Sequence, residues 1–389
     1  MLEGNLLIIH GGGPTAVINS SLFGVLKAAY PHKGRYAILG ARSGTGGLLK
    51  EDFIDLSNLS HEELNLLCQS PGSAIGTSRE PLEQADYDAM LSILLKHEIK
   101  YVLFNGGNGT MDTCGQLHRT VQAAGEVIQV IGIPKTMDND LSVTDHSPGF
   151  GSAARYIAQS TKEVACDVKG LAIHVVVIEA SGRNAGWLTA ASALADPDHL
   201  EFGPDLIYLP EVAFSEEKFL ADVKAKLQEK TGLVVVVSEG LRDKEGQPIV
   251  SPIMTQGRAT YFGDVSTHLA TLIIKELGYK ARGEKPGLLG RSSIALHSTV
   301  DVEEAILAGE AAVAAVLAGE SGKMVAFKRL VGDTYAIETF LVDIEEVMLT
   351  ERTLPAEFIN EEQNGVTQAF IDWCRPLIGE PTSSMISFV

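Results

Sequence analysis

The chain has 389 residues, 45% hydrophobic, 21% charged and 6% aromatic, with 31 basic residues against 50 acidic ones and a net charge of −19. That apolar content excludes an intrinsically disordered chain, the length asks for two domains or one with a large insertion, and the acidic excess argues against nucleic acid and anionic membrane surfaces as partners. The 39 glycines exceed the ordinary share of about 7% and follow no G-X-Y period, so their positions carry information.

In chain order, MLEGNLLIIHGGG has no basic leader region and no cleavage site, and its short apolar run reads as a buried first strand over 6–9. A turn at Gly11, Gly12 and Gly13 follows, then a helix over 19–29. The run 36–39 leads into GARSGTGG, a helical stretch over 84–96 precedes a strand over 101–104, and that strand ends in GGNGT. The run 127–133 ends in PKTMDND, 174–178 ends in EASGRNAG, and 233–237 ends in SEG. Residues 211–230 carry mixed charges and read as an exposed helix; 302–317 is alanine-rich, lacks proline and reads as a packed one. Short buried runs alternating with amphipathic helices imply βαβ units around a parallel sheet, whose ligands bind at the carboxyl ends of the strands. Every glycine cluster named here falls at such an end. No stretch approaches 18 apolar residues, so no membrane span is expected. Cys68, Cys114, Cys166 and Cys374 lie far apart without CxxC spacing and read as four scattered buried thiols in a reducing, cytoplasmic compartment. There is no internal repeat and no low-complexity linker.

The chemistry sits at the strand ends. Gly11 to Thr15 brings backbone N–H groups and a helix N-terminus toward a phosphate, though a plain tight turn fits as well. Asn105 to Thr110, with Gly107, Asn108 and Gly109, suits a di- or triphosphate cradle. Pro134 to Asp140 carries the most chemistry. A lone Lys-Asp cluster is usually a surface ion pair; at a strand end beside two glycine loops it reads as catalytic. Asp138 can deprotonate a hydroxyl that attacks phosphorus, Lys135 can offset charge on the transferring group, and Asp140 can hold or orient Mg²⁺. Arg79, Arg183, Arg282 and Arg291 can grip phosphate bidentately, and Glu239 can accept sugar hydroxyls.

Together these motifs resemble the phosphofructokinase family. GGPTAVIN, GTSR, GGNGT, PKTMDND, PGFGSA, SGRNAGW, LIYLPE and SEG carry the resemblance, which covers nearly the whole chain and is nearest the bacterial pyrophosphate-dependent branch. It implies an α/β fold of two Rossmann-like three-layer αβα domains with mainly parallel sheets and an active site in the cleft between them. Residues 1–148 plus about 290–338 would bind the phosphoryl donor, and 149–289 plus about 339–389 the sugar phosphate. It implies 6-phosphofructokinase activity, phosphorylating O1 of fructose 6-phosphate with Mg²⁺ in a homodimer or homotetramer whose sites lie at subunit interfaces. Asp138 matches the base, with Thr136 and Asp140 as its partners. Gly12, Gly13, Arg79, Gly107, Asn108, Gly109 and Thr110 match the phosphoryl-donor site, and Asn108 and Asp140 the metal positions. His174, Ser181, Gly182, Arg183 and Glu239 match sugar-phosphate positions. Arg282 and Arg291 match the grip on the 6-phosphate, one of them from a neighbouring subunit.

Departures from the pattern leave alternatives. Asn108 lacks the metal-binding charge of the aspartate in ATP-dependent members. Gly109 removes the charge and bulk that exclude ATP, which favours ATP, whereas Lys135 and the overall resemblance favour pyrophosphate. Ser181 stands for a methionine, Gly290 for a glutamine, and His174 for a common arginine, a core histidine being the other reading of that residue. A pyrophosphate–fructose 6-phosphate 1-phosphotransferase, a kinase of another phosphorylated ketose such as sedoheptulose 7-phosphate, and a catalytically silent sugar-phosphate-binding subunit are the alternatives. PKTMDND and the arginines oppose an NAD or lipid kinase, and no GxGxxG supports a dehydrogenase.

Overall fold

The computed structural model describes residues 2–171, 174–198, 201–256, 259–332 and 334–389. Two compact units form, one from Met1–Ser152 and Arg291–Arg352, the other from Ala153–Gly290 and Thr353–Val389. The strands in chain order are β1 (Asn5–His10), β2 (Ile38–Ala41), β3 (Phe53–Asp55), β4 (Ile99–Gly106), β5 (Gln129–Pro134), β6 (Val175–Ala180), β7 (Leu206–Tyr208), β8 (Leu233–Ser238), β9 (Pro252–Gln256), β10 (Ala259–Phe262), β11 (Ala281–Glu284), β12 (Lys323–Arg329) and β13 (Ile337–Asp343). The last crossing falls at 352 rather than near 338, because β13 pairs antiparallel with β12 along its whole length.

The first unit is built on a seven-stranded sheet ordered β13-β12-β5-β4-β1-β2-β3. Its five inner strands are parallel, and β3 and β13 close the edges antiparallel. Successive side chains on a strand point to opposite faces. Leu7, Ile9, Val102 and Phe104 therefore meet Met90, Leu94, Met111 and Leu117 of helices Gln84–Lys96 and Asn108–Ala123. Leu6, Ile8, Leu103 and Ile131 meet Leu22, Val25, Ala308 and Ala312 of helices Ile18–Ala29 and Thr299–Leu317. Both faces are covered, which is why these strands read as unbroken apolar runs; each fully buried leucine or isoleucine contributes about 1.5–3 kcal/mol. The last two helices meet backbone to backbone. A methyl on Gly24 would sit 2.1 Å from the Ile306 carbonyl oxygen, and one on Gly309 2.2 Å from that of Ser21.

The second unit holds an all-parallel sheet ordered β11-β6-β8-β7 and a separate β9–β10 antiparallel pair. Val175, Val177, Val235 and Val237 pack on helices Glu216–Glu229 and Val265–Leu277, and helix Trp187–Ala191 lies against β6, β7 and β8.

The helix expected over 211–230 is confined to Glu216–Glu229 and is not wholly exposed, since Phe219 and Val223 are fully buried. The alanine-rich helix starts at Thr299, three residues early, with the Ser298 hydroxyl accepting the Asp301 N–H at 3.3 Å. Of the four cysteines, only Cys114 and Cys374 are buried; Cys68 and Cys166 are half-buried.

Candidate active site

Because β1, β2, β4 and β5 are parallel, the loops after them collect at one edge of the first sheet. The loop after β1 is tied to the arginine loop: the Gly12 N–H donates to the Ser78 carbonyl at 3.1 Å, and the Thr77 hydroxyl to the Gly12 carbonyl at 2.6 Å. Helix Asn108–Ala123 starts at Gly107 with no side-chain cap, so its first amides keep their capacity for an anion.

The loop after β5 is ordered by its own side chains. The Thr136 hydroxyl donates to Asp140 Oδ1 at 2.9 Å and accepts the Asp138 N–H at 3.1 Å. Asn108 Nδ2 donates to Asp140 Oδ2 at 2.9 Å, so both Asp140 oxygens are engaged. Asn139 turns the chain with φ 55° and its side-chain oxygen accepts the Ser147 N–H at 3.0 Å. Lys135 is buried and donates from Nζ to the Gly13 carbonyl at 2.7 Å. Burial pulls its ammonium down to about 8, against the opposing attraction of Asp138.

Two arginines complete the wall. A methyl on Gly13 would meet Arg291 Nη1 at 2.7 Å and Arg79 Nη2 at 3.0 Å. Burial and the neighbouring Arg79 hold the Arg291 guanidinium below its ordinary value, with Asp138 acting the other way. Together these groups line a cavity of about 430 Å³ that includes Gly12, Gly107, Gly109, Thr110 and Asp138. Arg291, expected on the sugar side, thus lies among the glycine loops of the first unit. The cavity also takes in Thr45, Ser78, Glu80, Leu82 and Thr113, which the sequence reading left out. The signal for three of them was at hand, since Thr45 lies inside GARSGTGG and Ser78 and Glu80 flank Arg79.

Beyond the loop after β5, His146 is buried between two carboxylates, with Nδ1 2.8 Å from Asp145 Oδ2 and Nε2 2.6 Å from Glu304 Oε2. Tyr335 donates to the other Glu304 oxygen at 2.5 Å. Burial opposes the charge on the imidazole, but Glu304 and Asp145 outweigh it and raise the group to about 9.

Among the described residues no group of three or more His, Cys, Asp or Glu side chains could hold a metal ion. Mg²⁺ rarely needs one; it keeps waters and is bound by one or two carboxylates plus substrate phosphates. Asn108 Oδ1 is buried with no hydrogen-bond partner and lies beside Asp140, a pairing that fits this mode.

In the second unit, the loops after β6 and β8 interlock. The Gly182 N–H donates to Glu239 Oε1 at 3.3 Å, and the Ser238 hydroxyl donates to the Gly182 carbonyl at 2.8 Å while accepting the Gly240 N–H at 3.0 Å. This brings Ser181, Gly182, Arg183 and Glu239 together at the carboxyl end of the sheet. The Arg183 guanidinium lies over the Phe262 ring, 5.7 Å from its centre. His174 and Arg282 are elsewhere. His174 precedes β6, half-buried, accepting the Lys280 N–H on Nδ1 at 3.2 Å and meeting the Tyr279 ring edge-on at 5.3 Å. It is therefore not a core histidine. Arg282 is exposed on edge strand β11 in register with Val176, four residues from Ala180 and roughly 13 Å along the strand. Within one chain, these two do not join Arg183 and Glu239.

The family model described as Phosphofructokinase matches residues 5–316. The chain is 38% identical over 394 aligned positions to a pyrophosphate–fructose 6-phosphate 1-phosphotransferase of Xanthomonas campestris pv. campestris, covering 97% of this chain and 92% of that one. It is 28% identical over 375 positions to an ATP-dependent 6-phosphofructokinase 3 of Bacteroides thetaiotaomicron, covering 93% and 96%. The crystal structure of a pyrophosphate-dependent phosphofructokinase from Marinobacter aquaeolei superimposes with a TM-score of 0.88 at 33% identity, over 99% of this chain and 94% of that one.

Proposed function

The chain belongs to the phosphofructokinase family, and from that premise we propose that it is a 6-phosphofructokinase, transferring a phosphoryl group to O1 of fructose 6-phosphate to give fructose 1,6-bisphosphate. The observation that carries this is the meeting of Asp138, Lys135, Arg79 and Arg291 with three backbone-lined loops around one cavity. Asp138 takes the proton from the attacking hydroxyl. Lys135 and the two arginines stabilise the charge on the phosphoryl oxygens. Thr136, bonded to both the Asp138 amide and Asp140, fixes the base in position. Asn108 and Asp140 would hold Mg²⁺, which when bound neutralises charge on the phosphoryl donor.

The first unit handles the phosphoryl donor and the second the sugar phosphate, through Arg183 and Glu239. Because His174 and Arg282 lie at the far end of their sheet, they serve the site of a neighbouring copy, and the enzyme works as a homo-oligomer in the cytoplasm. No described helix is long and apolar enough to cross a membrane.

The phosphoryl donor is ATP. A β-carbon on Gly109 would have no heavy atom within 4 Å, so the cavity is open where a nucleotide passes. Pyrophosphate is the second reading, favoured by the names of the Xanthomonas and Marinobacter relatives. Initial rates with fructose 6-phosphate and Mg²⁺, comparing ATP with pyrophosphate, test both. Turnover with neither, while another phosphorylated ketose or no sugar at all is phosphorylated, would overturn the assignment.

A further inference from the structure

Asp301 is only 2% exposed, yet phosphoryl transfer as described above gives its carboxylate no task. We infer that it is a positioning residue for Asp138, acting through one backbone peptide and Thr136, an inference that rests on the phosphoryl-transfer reading above. The peptide joins Pro148 to Gly149. Its N–H donates to Asp301 Oδ1 at 2.8 Å, and its carbonyl accepts the Thr136 N–H at 3.1 Å. Thr136 and Gly149 form an isolated parallel bridge there. The Thr136 hydroxyl in turn accepts the Asp138 N–H and donates to Asp140 Oδ1. Asp301 is thus linked to the backbone of Asp138 through one peptide and one threonine.

An anion at the N–H end of a peptide strengthens the carbonyl at its other end as an acceptor, because hydrogen-bonded dipoles polarise one another in a low-dielectric interior. Burial pushes the Asp301 carboxyl up to about 6, against hydrogen bonds from Ser152 and Gly149, so it is ionised at neutral pH. Helix capping accounts for only half of its contacts. Oδ2 accepts the Ser152 N–H at 2.9 Å, in the first turn of helix Phe150–Gly170, where amides have no partner within the helix. Oδ1 instead holds the amide one residue before that helix begins, on the peptide that meets Thr136. Asp301 is itself held in place. The Ser298 hydroxyl accepts its N–H, and the Ser298 N–H donates to Ser152 Oγ at 3.1 Å. Three residues on, and so on the same face of helix Thr299–Leu317, Glu304 bonds to His146. That face therefore grips the segment 146–152 at two points.

The test is a double-mutant cycle between Asp301→Asn and Thr136→Ala, read in kcat, in both KM values and in melting temperature. Asparagine keeps the shape, loses the charge and turns an N–H donor toward an amide donor. Alone, Asp301→Asn should lower kcat about 10- to 100-fold with both KM values within about twofold of wild type, as loss of positioning requires. In the Thr136→Ala background the hydroxyl that passes the effect on is gone, so the same substitution should change kcat by less than about twofold. The fall in melting temperature, which belongs to the helix cap, should be the same in both backgrounds. If Asp301→Asn does not fold, Asp301→Glu, which keeps the charge but displaces it by one methylene, goes through the same cycle with the same expectation. A folded variant with wild-type kcat, an equal loss of kcat in both backgrounds, or KM values that rise while kcat holds would each overturn the role of Asp301. Failure of the phosphoryl-transfer reading would show in the wild type instead, as turnover that Asp138→Ala leaves unchanged or as no sugar phosphate being phosphorylated, and would overturn both.

Discussion

Replacing Gly240 with alanine asks whether the loops after β6 and β8 hold Arg183 as one piece. The added β-carbon would lie 1.7 Å from the Arg183 carbonyl oxygen and 2.5 Å from its carbonyl carbon. A relaxed carbon–oxygen approach needs roughly 3.3 Å, so the backbone at Arg183 must retreat by about 1.5 Å. It cannot do so quietly, because the Ser238 hydroxyl clamps Gly182 and Gly240 together. Overpacking of this kind costs about 1–3 kcal/mol of stability, and misplacing a positioning group by about 1 Å costs on the order of 10²-fold in rate. Steady-state kinetics should show kcat/KM for the sugar phosphate falling about 100-fold, with KM for the phosphoryl donor within roughly twofold of wild type. That separation follows from the cavity of the first unit containing neither Gly240 nor Arg183. A folded variant with unchanged kcat/KM for the sugar, or one whose two KM values rise in parallel, would refute the reasoning.

Four further outcomes are expected. Asp138→Ala should lower kcat by roughly 10²–10⁴-fold, the worth of a general base; turnover near wild type would remove Asp138 from the mechanism. Gly109→Asp should suppress ATP use by placing a charged side chain in open space, and unaltered ATP kinetics would contradict the steric reading. Lys135 acts as an ammonium, so activity should fall as pH rises through about 8 and that limb should vanish in Lys135→Met. Between about 8 and the ordinary value of 10.5 the unfolded chain holds a proton the native one lacks, so this residue's contribution to stability rises over the range where activity is lost. For His146 the sign reverses: its folded value of about 9 exceeds the ordinary 6.5, so the stability it adds is complete below about 6.5, amounts to roughly 3 kcal/mol, and is lost as pH rises through 9. Thermal melts across that range should show the decline, and His146→Gln should flatten it.

The parallel core was legible because its strands are buried on both faces, and β1, β4, β5, β6 and β8 announce themselves as apolar runs. Two of the strands that went unread lack that signal, whereas β12 carries it in Met324 to Phe327. β11 is ARGE with an alternating half-exposed pattern, and β3 spans three residues. That the glycine loops of the first unit gather around one cavity was legible because glycine at a strand end is conspicuous. Leu82 was not, since a side chain on a loop wall has no spacing rule. His174 and Ser181 stand at opposite ends of β6, so they do not reach one ligand from the same chain.

The backbone contact between helices Ile18–Ala29 and Thr299–Leu317 also bears on how the protein is made. Synthesis proceeds at roughly 5–20 residues per second, and the earlier helix, with Leu22, Val25 and Leu26, leaves the ribosome long before the one that covers it. Arg291, which closes the cavity, and β12 and β13, which finish the sheet, emerge in that same late stretch. The longer segment of the second unit, Ala153–Gly290, emerges before the first is finished. The nascent chain therefore carries a half-covered apolar sheet face through most of translation, and a truncation before Thr299 would leave part of it exposed permanently.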